Sequence, residues 1–139
     1  MISVFVDSSV LFAAVYSSRG IARDLVNLAI TQQVQLVITP FALEEVRRNI
    51  ALDFPEKLSL YEAVVMNIPF RMISNPTHEQ IVMAAQYTVI KDAPIIAAAI
   101  NAQVDYLVTY DREQLLDRPE VAEKSGLRIV TPDVVIAAL

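Results

Sequence analysis

Four acidic residues, Asp7, Glu44, Asp92 and Asp111, have the type and placement to act together on one reaction. Each stands where a strand has just ended or a helix is about to begin. Asp7 closes the apolar run Ile2 to Val6, and Glu44 follows Gln35 to Pro40. Asp92 opens the helix-like Ala93 to Ile100, and Asp111 follows Tyr106 to Tyr110. In a parallel α/β sheet such positions converge on the carboxyl ends of the strands, where open sheets bind ligands. Carboxylates about 4 Å apart repel by roughly 4 kcal/mol per pair at an effective dielectric near 20. A cluster of them must take up protons or bind a cation. Magnesium and manganese prefer oxygen ligands, and two such ions could activate a water and stabilise the leaving oxygen of an in-line displacement. That is phosphodiester chemistry, and it needs no histidine base.

The elements that must position these acids read as strands near 2–6, 35–39, 69–73, 105–109 and 128–131, with helical patterns between them. Ile21, Leu25, Val26, Leu28 and Ala29 recur at helical spacing, as do Phe41, Leu43, Val46 and Ile50 after Pro40. Further helices are predicted at 58–66, 79–87 and 93–102, with a short one at 112–116. Asp117 to Lys124 reads as a charged surface loop. The order β-α-β-α-α-β-α-α-β-α-β predicts one domain over residues 1–139, a three-layer α/β/α fold around a doubly wound, mainly parallel five-stranded sheet.

Composition narrows the field. A content of 55% hydrophobic residues excludes disorder. With no cysteine there is neither a disulfide framework nor a thiol nucleophile, and the single His78 removes any multi-histidine metal site. No apolar segment approaches the roughly 20 residues of a membrane span, and Asp7 interrupts the N-terminal apolar run, so a cytoplasmic protein without a membrane anchor is expected. The net charge of −5 argues against holding nucleic acid by charge alone. Two divalent cations, adding +4, would bring it to about −1 at the point where a phosphate must approach.

Each acid also has a structural role open to it. Asp7, Asp92 and Asp111 can cap helices. Glu44 suits a first helical turn, with Arg48 four residues on. Asp133 reads as a cap for the last helix, His78 as a solvated residue, and Arg47, Arg48 and Arg128 as surface charges. Ser8 and Ser9 lack a partner base, which disfavours covalent catalysis. Leu58 to Tyr61, with Val64 and Val65, suit either a dimer face or core packing.

The ordered set of motifs resembles the PIN-domain nucleases. Val4-Phe5-Val6-Asp7-Ser8-Ser9-Val10-Leu11 is similar to their opening strand and acid. Thr39-Pro40 with Glu44 resembles the second acidic position, and Lys91-Asp92-Ala93-Pro94 the third. Thr109-Tyr110-Asp111 looks like the fourth, with a hydroxyl residue two before the acid. Leu127 to Asp133 resembles the closing strand, and Ser18 to Ala29 resembles members that are toxins of toxin–antitoxin pairs. The resemblance implies an Mg²⁺- or Mn²⁺-dependent endoribonuclease acting on RNA, often a homodimer, and in many members a toxin silenced by a small antitoxin protein. It makes Asp7, Glu44, Asp92 and Asp111 the catalytic metal ligands, with Ser8 and Thr109 in support. Arg19, Lys91 and Arg112 neighbour the cleft and are candidates to steer phosphates.

Two departures stand out. Ser9 replaces a common Asn, which loosens the support of the ligands. Tyr110 replaces a common Gly and sets a ring beside the site, to stack on a base or narrow the entrance. A phosphatase with Asp7 as nucleophile is a rival reading, but it wants an Asp where Ser9 stands. A PIN-like domain that binds RNA or protein and cleaves nothing is another.

Overall fold

The computed structural model describes all 139 residues. Its elements run β1 (Ser3–Val6), α1 (Ser8–Tyr16), α2 (Ile21–Ile30), β2 (Gln35–Ile38), α3 (Pro40–Asp53), α4 (Leu58–Asn67), β3 (Arg71–Met72), α5 (His78–Ala84), α6 (Ala93–Ala102), β4 (Tyr106–Val108), α7 (Pro119–Ser125), β5 (Ile129–Val130) and α8 (Pro132–Ala137). A single π-helical turn, Arg112–Leu116, follows β4.

The five strands pair in the order β3-β2-β1-β4-β5, and every pairing is parallel. Helices cover both faces in a three-layer α/β/α arrangement. Burial on both faces is why the central strands are apolar throughout rather than alternating. Val4, Phe5 and Val6 are wholly inaccessible, and so are Leu107 and Val108. The α6 helix is apolar nearly all round (Ala93, Ile95, Ile96, Ala97, Ala98 and Ala99 are buried), as befits a helix inside the core. The chain turns from one side of β1 to the other between β3 and β4, so the strand order reverses beside β1. That reversal point, at the carboxyl ends of β1 and β4, is where a ligand cleft opens in such sheets.

The structure refines the element reading in three places. Two helices, not one, join β1 to β2: α1 begins at Ser8 and ends before Ser17, and Gly20, at φ +111°, starts α2. The segment expected as a loop over 117–124 holds α7, with Pro119 in its first turn and Gly126 at φ +75° closing it. Asp133 lies in the first turn of α8, whose cap position belongs to Thr131.

Candidate active site

Asp7 caps α1 from the end of β1, accepting from the Ser8 amide at 2.8 Å through Oδ1. Its Oδ2 accepts from the Thr109 hydroxyl at 2.7 Å and the Ser9 hydroxyl at 2.9 Å. Thr109 is wholly buried and in turn accepts from the Asp111 amide at 3.0 Å, while the Ser9 oxygen accepts from the Tyr110 amide at 3.1 Å. Two hydroxyls therefore lace the ends of β1 and β4 together and fix the orientation of one carboxylate. Asp111 caps the π turn, its Oδ1 accepting from the Gln114 amide at 3.0 Å.

Asp92 behaves differently. It occupies the cap position of α6 yet makes no capping hydrogen bond. The residue is only 7% exposed, and its Oδ2 is buried with no partner in the protein. Burial pushes its carboxyl up from 3.8 to about 6; neighbouring Lys91 pulls it down, while the charges of Asp111, Asp7 and Glu45 push it further up. An orphaned acceptor facing other acids is the arrangement a bound cation would relieve.

These residues share one cleft of about 260 Å³, walled by Asp7, Ser8, Ser9, Glu45, Asp92 and Asp111, with Lys91, Ile95 and Tyr110 completing it. As the side chains lie, no three Asp, Glu or His groups are close enough to hold a metal by themselves. The donor set nonetheless fits magnesium or manganese, which take one or two carboxylates and keep several waters. Asp7, Asp92, Thr109 and Thr39 are the chain's four buried polar or charged side chains; Asp7 and Asp92 line this cleft, and Thr109 supports Asp7 from behind it.

Residues 3–113 match the sequence profile of the PIN domain. The chain belongs to the PIN domain family. No curated protein matches its sequence. Among solved structures it is similar to PAE2754 from Pyrobaculum aerophilum, at a TM-score of 0.68 and 18% identity over 99% of this chain and 91% of that one. FitAcB from Neisseria gonorrhoeae gives 0.64 and 14% over 93% and 97%. The Mycobacterium tuberculosis VapC20, a toxin that cleaves the sarcin-ricin loop, gives 0.56 and 14% over 79% and 91%. At these identities the likeness is one of fold.

Asp7, Asp92 and Asp111 come together, but Glu44 does not join them. Its side chain is 59% exposed and pairs with Arg47 at 3.5 Å, beside Tyr61 on the outer side of α3. Tyr61 itself is a core residue: it is buried and donates to the Leu43 carbonyl at 2.9 Å. Burial, with Glu44 nearby, pushes its hydroxyl up to about 12. The glutamate of the cleft is Glu45, whose Oε1 accepts from the Ser8 hydroxyl at 3.1 Å. The helical period could have found it. Ala42, Val46 and Ile50 mark the inward stripe of α3, and Glu45 flanks that stripe while Glu44 lies about half a turn away.

Ser9, expected to loosen the site, instead bonds Asp7 directly. Of the three cations, Lys91 lines the cleft; Arg112 is drawn toward Asp117 at 3.7 Å, and Arg19 lies outside the cleft walls. Tyr110 does stand at the cleft wall, exposed.

Proposed function

We propose that this PIN domain is an Mg²⁺- or Mn²⁺-dependent endoribonuclease, working in the cytoplasm as the toxin of a toxin–antitoxin pair. The observation that carries the reading is the buried, unpartnered Oδ2 of Asp92 beside Asp7, Asp111 and Glu45. Asp7, Asp92 and Asp111 would hold the metal directly or through water, with Glu45 in the place the motif pattern gives to Glu44. When bound, such an ion would supply Lewis-acid chemistry for the phosphate and the attacking water. The protein's part is to hold the acids still. Ser9 and Thr109 fix Asp7, Ser8 fixes Glu45, and Lys91 brings positive charge for an approaching phosphate. Family membership supports RNA as substrate, and a small antitoxin and a second copy of the chain as partners. No helix is long and apolar enough to cross a membrane.

The geometry tells against an Asp7 nucleophile, because three donors already engage its two oxygens. The test is incubation with total RNA in Mn²⁺ and in EDTA, alongside Asp92→Asn. Discrete fragments should require both metal and Asp92, with the variant slower by about a hundredfold or more, the scale on which a charge-stabilising group acts. Intact RNA in every lane, with folded wild-type protein, would leave a binding module in its place.

A further inference from the structure

A second recess adjoins the acidic cleft, sharing Ile95 as a wall. It lies between the first turns of α3 and α6 and is lined by Thr39, Phe41, Asn75, Ile81 and Pro94. Its volume is about 110 Å³. That is well under the roughly 300 Å³ or more of a self-sufficient small-molecule site. A space of this size, beside the acidic cleft, suits one planar ring carried by a larger substrate.

Three features give the ring its chemistry. Phe41 is 48% exposed although it lines this apolar space, so its side chain is accessible to a ligand. It precedes Glu45 by four residues, which puts the two on the same side of α3 and links the recess to the acids. Asn75 is oriented by the chain itself: its Oδ1 accepts from the Phe41 amide at 3.1 Å, which leaves the Nδ2 donors free. An aromatic face with an adjacent amide donor is the combination that holds an unstacked base in single-stranded RNA.

We infer that this recess is a base-binding subsite beside the scissile phosphate, with Phe41 stacking on a nucleobase and Asn75 donating to its carbonyl oxygen. The inference rests on the ribonuclease reading of the neighbouring cleft. It assigns specificity as well as affinity. Uracil, cytosine and guanine carry a carbonyl acceptor and adenine does not, so a base of the first kind is favoured in the recess.

The test measures binding of fluorescein-labelled hexauridylate and hexaadenylate in Ca²⁺, and their cleavage in Mn²⁺. Phe41→Ala should weaken hexauridylate binding by about tenfold, within the range for loss of one base–aromatic stack. Phe41→Leu keeps the apolar contact without the ring and should also weaken it; thermal melts establish that both variants fold. A single abasic position should cost wild type a similar factor and the Phe41 variants little more, because the two losses remove one contact. Asn75→Asp preserves the acceptor for the Phe41 amide and should reduce the preference for hexauridylate over hexaadenylate. Equal hexauridylate binding by wild type and both Phe41 variants, fully additive losses, or no binding by wild type would overturn the subsite. If the binding pattern holds while nothing is cut in Mn²⁺, the subsite stands and the nuclease reading falls.

Discussion

β1 and β4 are joined at both ends by an aspartate and hydroxyls, and the two ends put the same groups to different use. At the amino end, Asp105 accepts from the Ser3 amide at 2.8 Å and the Ser3 hydroxyl at 3.3 Å, while its own amide reaches back to Ser3. That carboxylate is exposed and stands outside the acidic cleft. At the carboxyl end, Asp7 is held by Ser9 and Thr109 in much the same manner, yet three further acids stand around it and one of their oxygens has no partner. The hydrogen-bonded clip is thus common to structure and site. What distinguishes the carboxyl end is a buried carboxylate, set among other acids, with an oxygen that the fold leaves without a partner.

After Asp92→Asn, the largest effect expected at the carboxyl end falls on Glu45 and not on its neighbour Glu44. Glu45→Gln should lower the rate of metal-dependent RNA cleavage by roughly 10- to 100-fold, as changes to groups around a metal commonly do. Glu44→Gln removes only an exposed ion pair with Arg47 and should change the rate by about twofold or less. Single-turnover cleavage at saturating Mn²⁺ measures both. A larger loss from Glu44→Gln than from Glu45→Gln would return Glu44 to the role of second acid.

The burial of Asp92 at the carboxyl end should also be visible without any substrate. Asp92 has its folded-state pKa raised from 3.8 to about 6, so folding favours its protonated form. Its contribution to stability is full below the unfolded value and is lost as pH rises from about 4 to about 6. The loss is on the order of 1–3 kcal/mol, since a tenfold change in proton affinity corresponds to about 1.4 kcal/mol. Denaturant melts of metal-free protein should show this decline, and Asp92→Asn should flatten it. Mn²⁺ should offset it above pH 6, because a ligand that binds only the folded state stabilises that state. A metal-free profile unchanged by Asp92→Asn would mean that the burial of Asp92 does not raise its carboxyl.

The sequence made most of this fold legible because parallel strands buried on both faces leave uninterrupted apolar runs, as Val4 to Val6 and Leu36 to Ile38 do. Asp7, Asp92 and Asp111 were legible for a related reason: each sits at a strand end or helix start that the runs define. Whether Glu44 or Glu45 faces the cleft is not legible from the motif, because adjacent residues on a helix differ by about 100° in direction and the first half of α3 offers two glutamates. The stripe of Ala42, Val46 and Ile50 resolves the choice only when weighed against its neighbours. The α7 helix was hidden by its charge, with Val121 as its one buried residue, so no apolar period showed; Pro119 and Gly126 were the available signals. Ser9 and the recess at Phe41 depend on contacts between residues far apart in the chain, and no local pattern encodes them.

The smallest expected effect belongs to the amino end of the strand pair. Asp105→Asn keeps an acceptor but loses the charge, whereas Asp105→Ala loses both hydrogen bonds from Ser3. Because these groups are exposed, water replaces much of what is removed, and the alanine variant should lose on the order of 1 kcal/mol or less in a urea melt. Neither variant should alter cleavage, since the carboxylate lies at the opposite end of β4 from the acids. If Asp105→Ala slowed cleavage while leaving stability unchanged, the two ends of the strand pair would be coupled through β1 and β4. The hydrogen bonds at the amino end would then help set the position of Asp7 and Thr109, and the division between a structural end and a chemical end would have to be abandoned.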